Sequence, residues 1–476
     1  MKILLLGGAA LMFTAGVAVA ADLPRAPAYK AAPAVARDWS GFYLGGYWGS
    51  SIGQSSATTP GGLALGSVDI SQKSWTAGAT VGLNWQASPA WLIGLEADLG
   101  FLDNKRKFTE WNDPSVSAGV KTGGYATARA RLGYVTGPSL LYVTGGAAFL
   151  NIEDSFGGCA NCTPVRAADA LTVTKTGWTA GAGIETKLGR NWSQKTEYLY
   201  IDAGTTNVAT NLLGVPQNVS FRNDFHVIKT GLNYQFGGPA EALPFFSGVM
   251  LPTSHNWAGF YLGGNAGGGL TTSPAPGNFG GGPLKADNDM RGGGGAAGIQ
   301  AGYNVINLFG RPRWFAGVEG DIGYLGIKAS HQDWNDGFVM SQKTNWYGTL
   351  RGRFGTTTGP ALLYSTAGAA FVKVENGIVT TATTAQLAPL NLAFSNDVRS
   401  DTRAGWTIGG GTEVALNAGW SAKLEYLYID AGKSTRAGVL SGPGGSTTIN
   451  SEVANRFQVV RAGVNYNFNE PVVARY

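Results

Sequence analysis

Apolar and polar residues alternate along short stretches of this chain. Trp91, Ile93, Leu95, Ala97, Leu99 and Phe101 are apolar, whereas the interleaved Leu92, Gly94, Glu96, Asp98 and Gly100 are mostly small or charged. Successive side chains of a strand point to opposite faces, so the stretch predicts a strand with one apolar and one polar face. Its 11 residues match the span of a tilted strand crossing a bilayer.

The same alternation marks five further segments. Trp75–Trp85, Thr127–Tyr134, Trp178–Leu188, Lys195–Tyr200 and Ile228–Phe236 each set large apolar residues against small, polar or charged ones. Segments 39–49 and 139–151 bring the expectation to eight strands. Three links are short (Gln86–Ala90, Thr136–Pro138, Gly189–Asn191), and four are expected as long loops over 51–73, 103–122, 152–173 and 203–223. Tight turns on one side and long loops on the other are the pattern of an outer-membrane barrel. Trp85, Trp91, Trp192 and Phe236 gather at the short-turn ends, and Trp75 and Trp178 at the others, as aromatic girdles require. Only helices and closed barrels satisfy every backbone group in lipid. No stretch after residue 20 approaches the apolar length of a helical span. A soluble β-protein, which would also alternate, is the rival reading.

The whole pattern occurs twice. W-S-G-F-Y-L-G-G at 39–46 returns as W-A-G-F-Y-L-G-G at 257–264, E-Y-L-Y-I-D-A-G at 197–204 is repeated at 425–432, and G-L-N-Y-Q-F at 231–236 pairs with G-V-N-Y-N-F at 463–468. The spacing between copies grows from 218 residues (39 to 257) to 232 (236 to 468), so insertions fell between the blocks. Repeat one is assigned to 39–236, a linker to 237–255, repeat two to 256–468 and a tail to 469–476. The short–long order of links persists in repeat two, with one longer turn at Asn307–Arg313.

The reading is therefore an all-β chain of tandem eight-stranded antiparallel transmembrane β-barrels, with one fused sixteen-stranded barrel as the alternative. Pro239, Pro244 and Pro252 in the linker, long for a turn between adjacent strands, favour two small barrels. The choice matters for the inward charges. Glu96, Asp98, Arg129, Arg131, Glu185, Lys187, Lys195, Glu197 and Lys229 belong to repeat one; Glu319, Asp321, Arg351, Arg353, Glu413, Lys423, Glu425 and Arg461 belong to repeat two. In an eight-stranded barrel they would pair across a filled lumen; in a fused wall they would line a porin channel.

Composition narrows the setting. Only 14% of the 476 residues are charged, Gly numbers 73, and 14 Trp argue against disorder. Lys2, the apolar run Ile3–Val17 and Ala18-Val19-Ala20 form a signal peptide over 1–20, and residues 21–38 a Pro/Ala-rich lead-in. A basic surface can meet lipid phosphates, but the net charge of +5 is small and dispersed, and nucleic acid is not expected.

The W-x-G-F-Y-x-G-G opening, the A-A-D-L-P start at Ala20–Pro24, the E-Y-x-Y strand and the aromatic terminus resemble the alphaproteobacterial outer-membrane immunogenic proteins. This porin-like family of small barrels is related in architecture to the OmpA membrane domain. Family members usually carry one barrel unit, and here the resemblance runs once through each half. The resemblance implies an assembly signal read by the barrel-assembly machinery, matched by Lys229, Gly231, Tyr234 and Phe236 and again by Arg461, Gly463, Tyr466 and Phe468. It implies an outer-membrane location, with lipid and lipopolysaccharide as neighbours and a link from the Ala21-Asp22 terminus to peptidoglycan as a further expectation. The termini are expected on the periplasmic side and the long loops outside.

Other candidate chemistry is sparse. Cys159 and Cys162 occupy one expected loop, where an exported setting predicts a local disulfide and neither a redox nor a zinc site. Glu110-Trp111-Asn112-Asp113 and Asp333-Trp334-Asn335-Asp336 could supply calcium ligands, but Asn and Asp are also habitual turn formers. The three histidines, His226, His255 and His331, raise an outer-membrane lipid-modifying enzyme as a minor alternative. The expected function is non-enzymatic, with no cofactor and no metal: envelope-structural and surface-exposed, with a small-solute porin as the rival.

Overall fold

Eight strands form the first ring: β1 (Gly41–Thr58), β2 (Ser67–Gln86), β3 (Trp91–Leu102) with its continuation β4 (Lys105–Thr109), β5 (Ser117–Thr136), β6 (Ser139–Cys159), β7 (Arg166–Lys187), β8 (Trp192–Leu212) and β9 (Val215–Gln235). Each pairs antiparallel with its chain neighbour, and β9 returns to β1, with Tyr47 opposite Gly231. The computed structural model describes residues 38–58, 67–109, 117–159, 166–212, 215–237, 255–279, 289–332, 338–380, 391, 393–416 and 419–469. The expected signal peptide, most of the expected lead-in, most of the linker, Cys162, both acidic Trp-Asn loop motifs and nearly all of the tail lie outside these residues.

The second ring repeats the plan. It comprises β10 (Gly259–Pro274) with β11 (Gly277–Phe279), β12 (Asp289–Leu308), β13 (Arg311–Leu325) with β14 (Lys328–Gln332), β15 (Phe338–Thr357), β16 (Ala361–Thr380), β17 (Ala393–Ser395) with β18 (Asp397–Ala415), β19 (Trp420–Gly442) and β20 (Gly445–Asn467). Here β20 closes on β10, with Asn265 opposite Gly463. The fused sixteen-stranded barrel is thereby excluded. The partner its wall would have needed for β9 is taken by β1, and that for β20 by β10. Eight strands reach around to close because an eight-stranded ring is just wide enough for its own side chains to fill.

The alternation read from the sequence sets the two faces. Trp91, Ile93, Leu95 and Leu99 are exposed on the outer wall, Leu95 by 65%, while Leu92, Glu96 and Asp98 are buried inside. Trp75 meets Phe101 edge-on at 4.6 Å near one rim, and Trp91 meets Tyr134 at 5.6 Å near the other. These pairs bracket the apolar belt, the arrangement expected at two membrane interfaces.

The long loops are much shorter than expected. β1 and β2 stay paired to Thr58↔Ser67, β6 and β7 to Cys159↔Arg166, and β8 and β9 to Leu212↔Val215. Strands of 18–23 residues thus run well past the apolar belt. The physical reason is a change of what fills the interior. Above the belt the inward positions turn mainly apolar: Phe156, Val208, Val219 and Phe221 are buried against one another, with Asp154 held among them by Asn223. The outward positions there are mostly polar, Asn151, Glu153, Ser155, Thr205, Asn207 and Arg222 among them, so the segments look polar as a whole although the period persists.

The rings belong to one compact unit and touch along a line. Ile184 of the first and Val414 and Leu424 of the second point outward from their own barrels yet are buried in a shared cluster. At the long-loop end Arg106 makes a two-pronged ion pair with Asp289 (3.0 and 3.1 Å). Arg291 likewise pairs with Asp224.

Candidate functional site

The strands carry all seventeen inward charges into the two interiors. Each is buried, Asp321 being the most open at 7%. In the first barrel Arg129 is the hub, reaching Glu96 (2.5 Å), Asp98 (2.7 Å) and Glu197 (2.8 Å). Arg131 joins Glu185 (2.8 Å) to Glu96 (3.3 Å), Lys195 adds to Glu96 (2.8 Å), and Lys229 bridges Asp98 and Glu197. Lys187 is placed apart from this hub, donating to Gln235 with its ammonium 4.6 Å over the Trp39 ring.

The second barrel rebuilds the network with one exchange. Arg351 takes the place of Arg129, binding Glu319, Asp321 (2.7 Å) and Glu425 (3.1 Å). Arg353 reaches Glu413 (2.7 Å), and Lys423 reaches Glu319 (3.0 Å). Arg461 stands where the first repeat has Lys229 and holds Glu425 (2.6 Å) and Asp321 (2.9 Å). Charges removed from water survive only when paired and hydrogen-bonded, and both networks meet that condition with several contacts per carboxylate.

Tyrosines complete the networks and were not singled out in the sequence. Tyr43 donates to Glu96 (2.5 Å) and Tyr142 to Glu197 (3.0 Å), while the Arg131 guanidinium lies 4.0 Å over the Tyr142 ring. Tyr261 and Tyr364 donate likewise to Glu319 and Glu425, while the Tyr347 hydroxyl accepts from Arg461. The signal was available: Tyr43 and Tyr261 lie within the repeated W-x-G-F-Y block at inward parity.

Glycines make the room. Glu96 faces Gly82 across its ladder, Arg131 faces Gly94, Arg129 faces Gly146 and Glu197 faces Gly183. A Cβ on Gly146 would lie 2.1 Å from the Ala128 carbonyl oxygen, so nothing larger fits beside the hub.

Each charged layer lies between two apolar ones. On the short-turn side Trp39, Leu92 and Leu140 pack under the first network, and Trp257, Phe315 and Leu362 under the second. On the long-loop side Leu150, Ile152, Leu199, Ile201 and Val227 cap the first, and Val372, Leu427, Ile429 and Val459 the second.

The remaining sequence candidates fall elsewhere. Glu96, Asp98 and Glu197 bring carboxylate oxygens within 4.8 Å of one another, a spacing that could hold a cation. Arg129, Lys195 and Lys229 already occupy that acidic centre. His226 meets the Tyr198 hydroxyl (2.7 Å) and lies 3.9 Å from Asp224 on the outer wall. His331 is buried 6.1 Å from the Phe108 ring, and His255 stacks edge-on against Trp257 at 4.3 Å. Of the assembly-signal residues, Tyr234 and Phe236 meet edge-on at 5.2 Å, as do Tyr466 and Phe468. Their motif glycines face the network: Gly231 is opposite Lys195, and Gly463 opposite Lys423.

An apolar outer belt, girdle aromatics and a closed ring define an outer-membrane β-barrel, present here in two copies. The chain belongs to the outer membrane protein beta-barrel domain family, whose profile matches residues 9–236 and again 242–468. It is similar to the 31 kDa outer-membrane immunogenic protein of Brucella melitensis, 30% identical over 261 residues, covering 50% of this chain and 100% of that protein. The 25 kDa outer-membrane immunogenic protein of Brucella abortus is 31% identical over 242 residues, covering 50% and 99%. Among solved structures, the outer membrane protein OprG of Pseudomonas aeruginosa covers 45% of this chain and 99% of its own, at 13% identity and a TM-score of 0.30. The resemblance read from the sequence is borne out.

Proposed function

We propose that the protein is a non-enzymatic outer-membrane element whose two barrels are closed to solutes, stabilise the envelope and carry loops on the cell exterior. The observation that supports this is the layering of each interior: apolar, charged and paired, then apolar again. Water and ions have no polar track through such a stack, and opening one would leave buried charges without partners. The ion-pair layer then serves as an internal brace that fixes strand register.

On this reading the short turns and both ends of the barrel domains face the periplasm, and the strand extensions rise outside through the lipopolysaccharide layer. The barrel-assembly machinery would receive the closing strands β9 and β20. An attachment of the mature N-terminus to peptidoglycan remains part of the proposal. Single-channel recording in planar bilayers tests the central claim. Full-length protein is expected to give no steady conductance; stepwise channels of uniform size would overturn the closed reading in favour of a small-solute porin.

A further inference from the structure

Where the barrels meet, three outward residues that are polar in the first repeat are matched by apolar ones in the second. Gln194, Thr196 and Thr230 of the first repeat correspond to Ala422, Leu424 and Ala462 of the second. Gln194 donates to both threonine hydroxyls (2.7 and 2.9 Å), and Thr196 shares a 2.8 Å hydrogen bond with Thr412 of the other barrel. At mid-depth, polar outward groups would be costly against hydrocarbon. Here they meet each other. Together with Arg106–Asp289 and Arg291–Asp224 at the long-loop end, they pin the two walls at two heights.

A further exchange has hollowed one of those walls. Trp48 of the first repeat, 60% exposed on its barrel, corresponds to Ala266 in the second. Ala266, Ala422 and Ala462, facing Leu132, Val143 and Ile184, line a cleft of about 660 Å³ between the barrels. Trp91 and Tyr134, a pair of the short-turn girdle, also border it. The cleft is continuous with the lipid-facing surface of both barrels. Its size falls within the roughly 300–1,000 Å³ of small-molecule sites.

We propose that this cleft holds one acyl chain of a phospholipid drawn from the leaflet on the short-turn side, as a lipid retained between the barrels. Two rigid, hydrogen-bonded walls pinned above the cleft cannot collapse to fill it. Water is not held by an apolar lining that offers it too few polar partners. An empty gap would forfeit the dispersion contacts of every residue along it. Hydrocarbon is the one medium at that depth that restores them, and the alanines supply the width that a Trp48 equivalent would block. The proposal rests on the membrane fold and is independent of whether the interiors conduct.

The test folds the full chain into vesicles of palmitoyl-oleoyl phosphatidylethanolamine and phosphatidylglycerol, transfers it to mild detergent and weighs it intact by native mass spectrometry. One retained phospholipid per chain is expected. Ala266→Trp, which restores the first repeat's residue, should cut the retained fraction tenfold or more, and Ala462→Leu should act in the same direction. Trp48→Ala should leave it unchanged. Folding of each variant is read from its heat-dependent gel shift. A wild-type chain that retains no lipid overturns the proposal, as does full retention in folded Ala266→Trp or Ala462→Leu.

Discussion

Gly146 lies directly across the β5–β6 ladder from Arg129, and Gly368 holds the same place opposite Arg351. A Cβ at either position would come within 2.1 Å of a carbonyl oxygen of the facing strand. Gly146→Ala is therefore expected to shift that strand and destabilise the first barrel by about 1–3 kcal/mol, in the range of overpacked cores. Gly123, with open space around its would-be Cβ, is the control. Urea unfolding in lipid vesicles should show a lowered midpoint for Gly146→Ala and little change for Gly123→Ala.

The hub arginine offers a sharper contrast. Arg129→Leu leaves Glu96, Asp98 and Glu197 short of a shared partner, a loss of about 3–5 kcal/mol by the usual cost of breaking a buried pair. Lys229→Arg should be mild, because the second barrel already carries Arg461 in that position. Comparing the two unfolding midpoints checks both expectations; equal losses would contradict the hub role.

The outer wall should reject charge by depth. Leu95, central on the exposed face of β3, is expected to cost about 2–4 kcal/mol when changed to Arg. Lys121 already stands exposed beyond the belt, so Lys121→Arg should be neutral there. Folded yield after insertion into vesicles measures the difference.

Asp69 lies on the extension of β2, six residues beyond the girdle residue Trp75. Burial pushes its carboxyl up to about 7, opposed by Arg291 and reinforced by Asp224 and Asp289. The folded chain therefore holds this proton at pH values where the unfolded chain has released it. The associated stability is fully present below about 4 and is lost as pH rises through about 7. Asp69→Asn is expected to flatten that dependence, which unfolding midpoints at pH 5 and pH 8 would reveal as a smaller difference than in the wild type.

Assembly should depend unequally on the two closing strands. Phe468 ends the C-terminal copy of the signal, and Phe236 ends an internal one. Phe468→Ala is expected to lower the heat-modifiable protein in outer-membrane fractions more than Phe236→Ala. Equal yields would count against recognition at the C-terminal strand.

Parity made most of the fold legible. Once Leu95 faces out, Glu96 must face in, and the same rule placed all seventeen charges. It did not reveal that Tyr43 and Tyr142 complete the networks, because a tyrosine suits a girdle as well as an interior. It also stopped short at the strand extensions. Around Phe156 and Phe221 the interior changes from charged to apolar, so an apolar-out pattern becomes apolar-in and looks like irregular loop. The meeting of the barrels was equally hidden, since Thr196 and Thr412 read as ordinary polar residues until their separation in space is known.

Because β9 pairs with β1 and β20 with β10, neither repeat leaves an unpaired strand for the other to cover. A gene that lost or regained one copy by recombination between the two would still encode a finished wall. Duplication in this architecture thus adds a module at no topological cost.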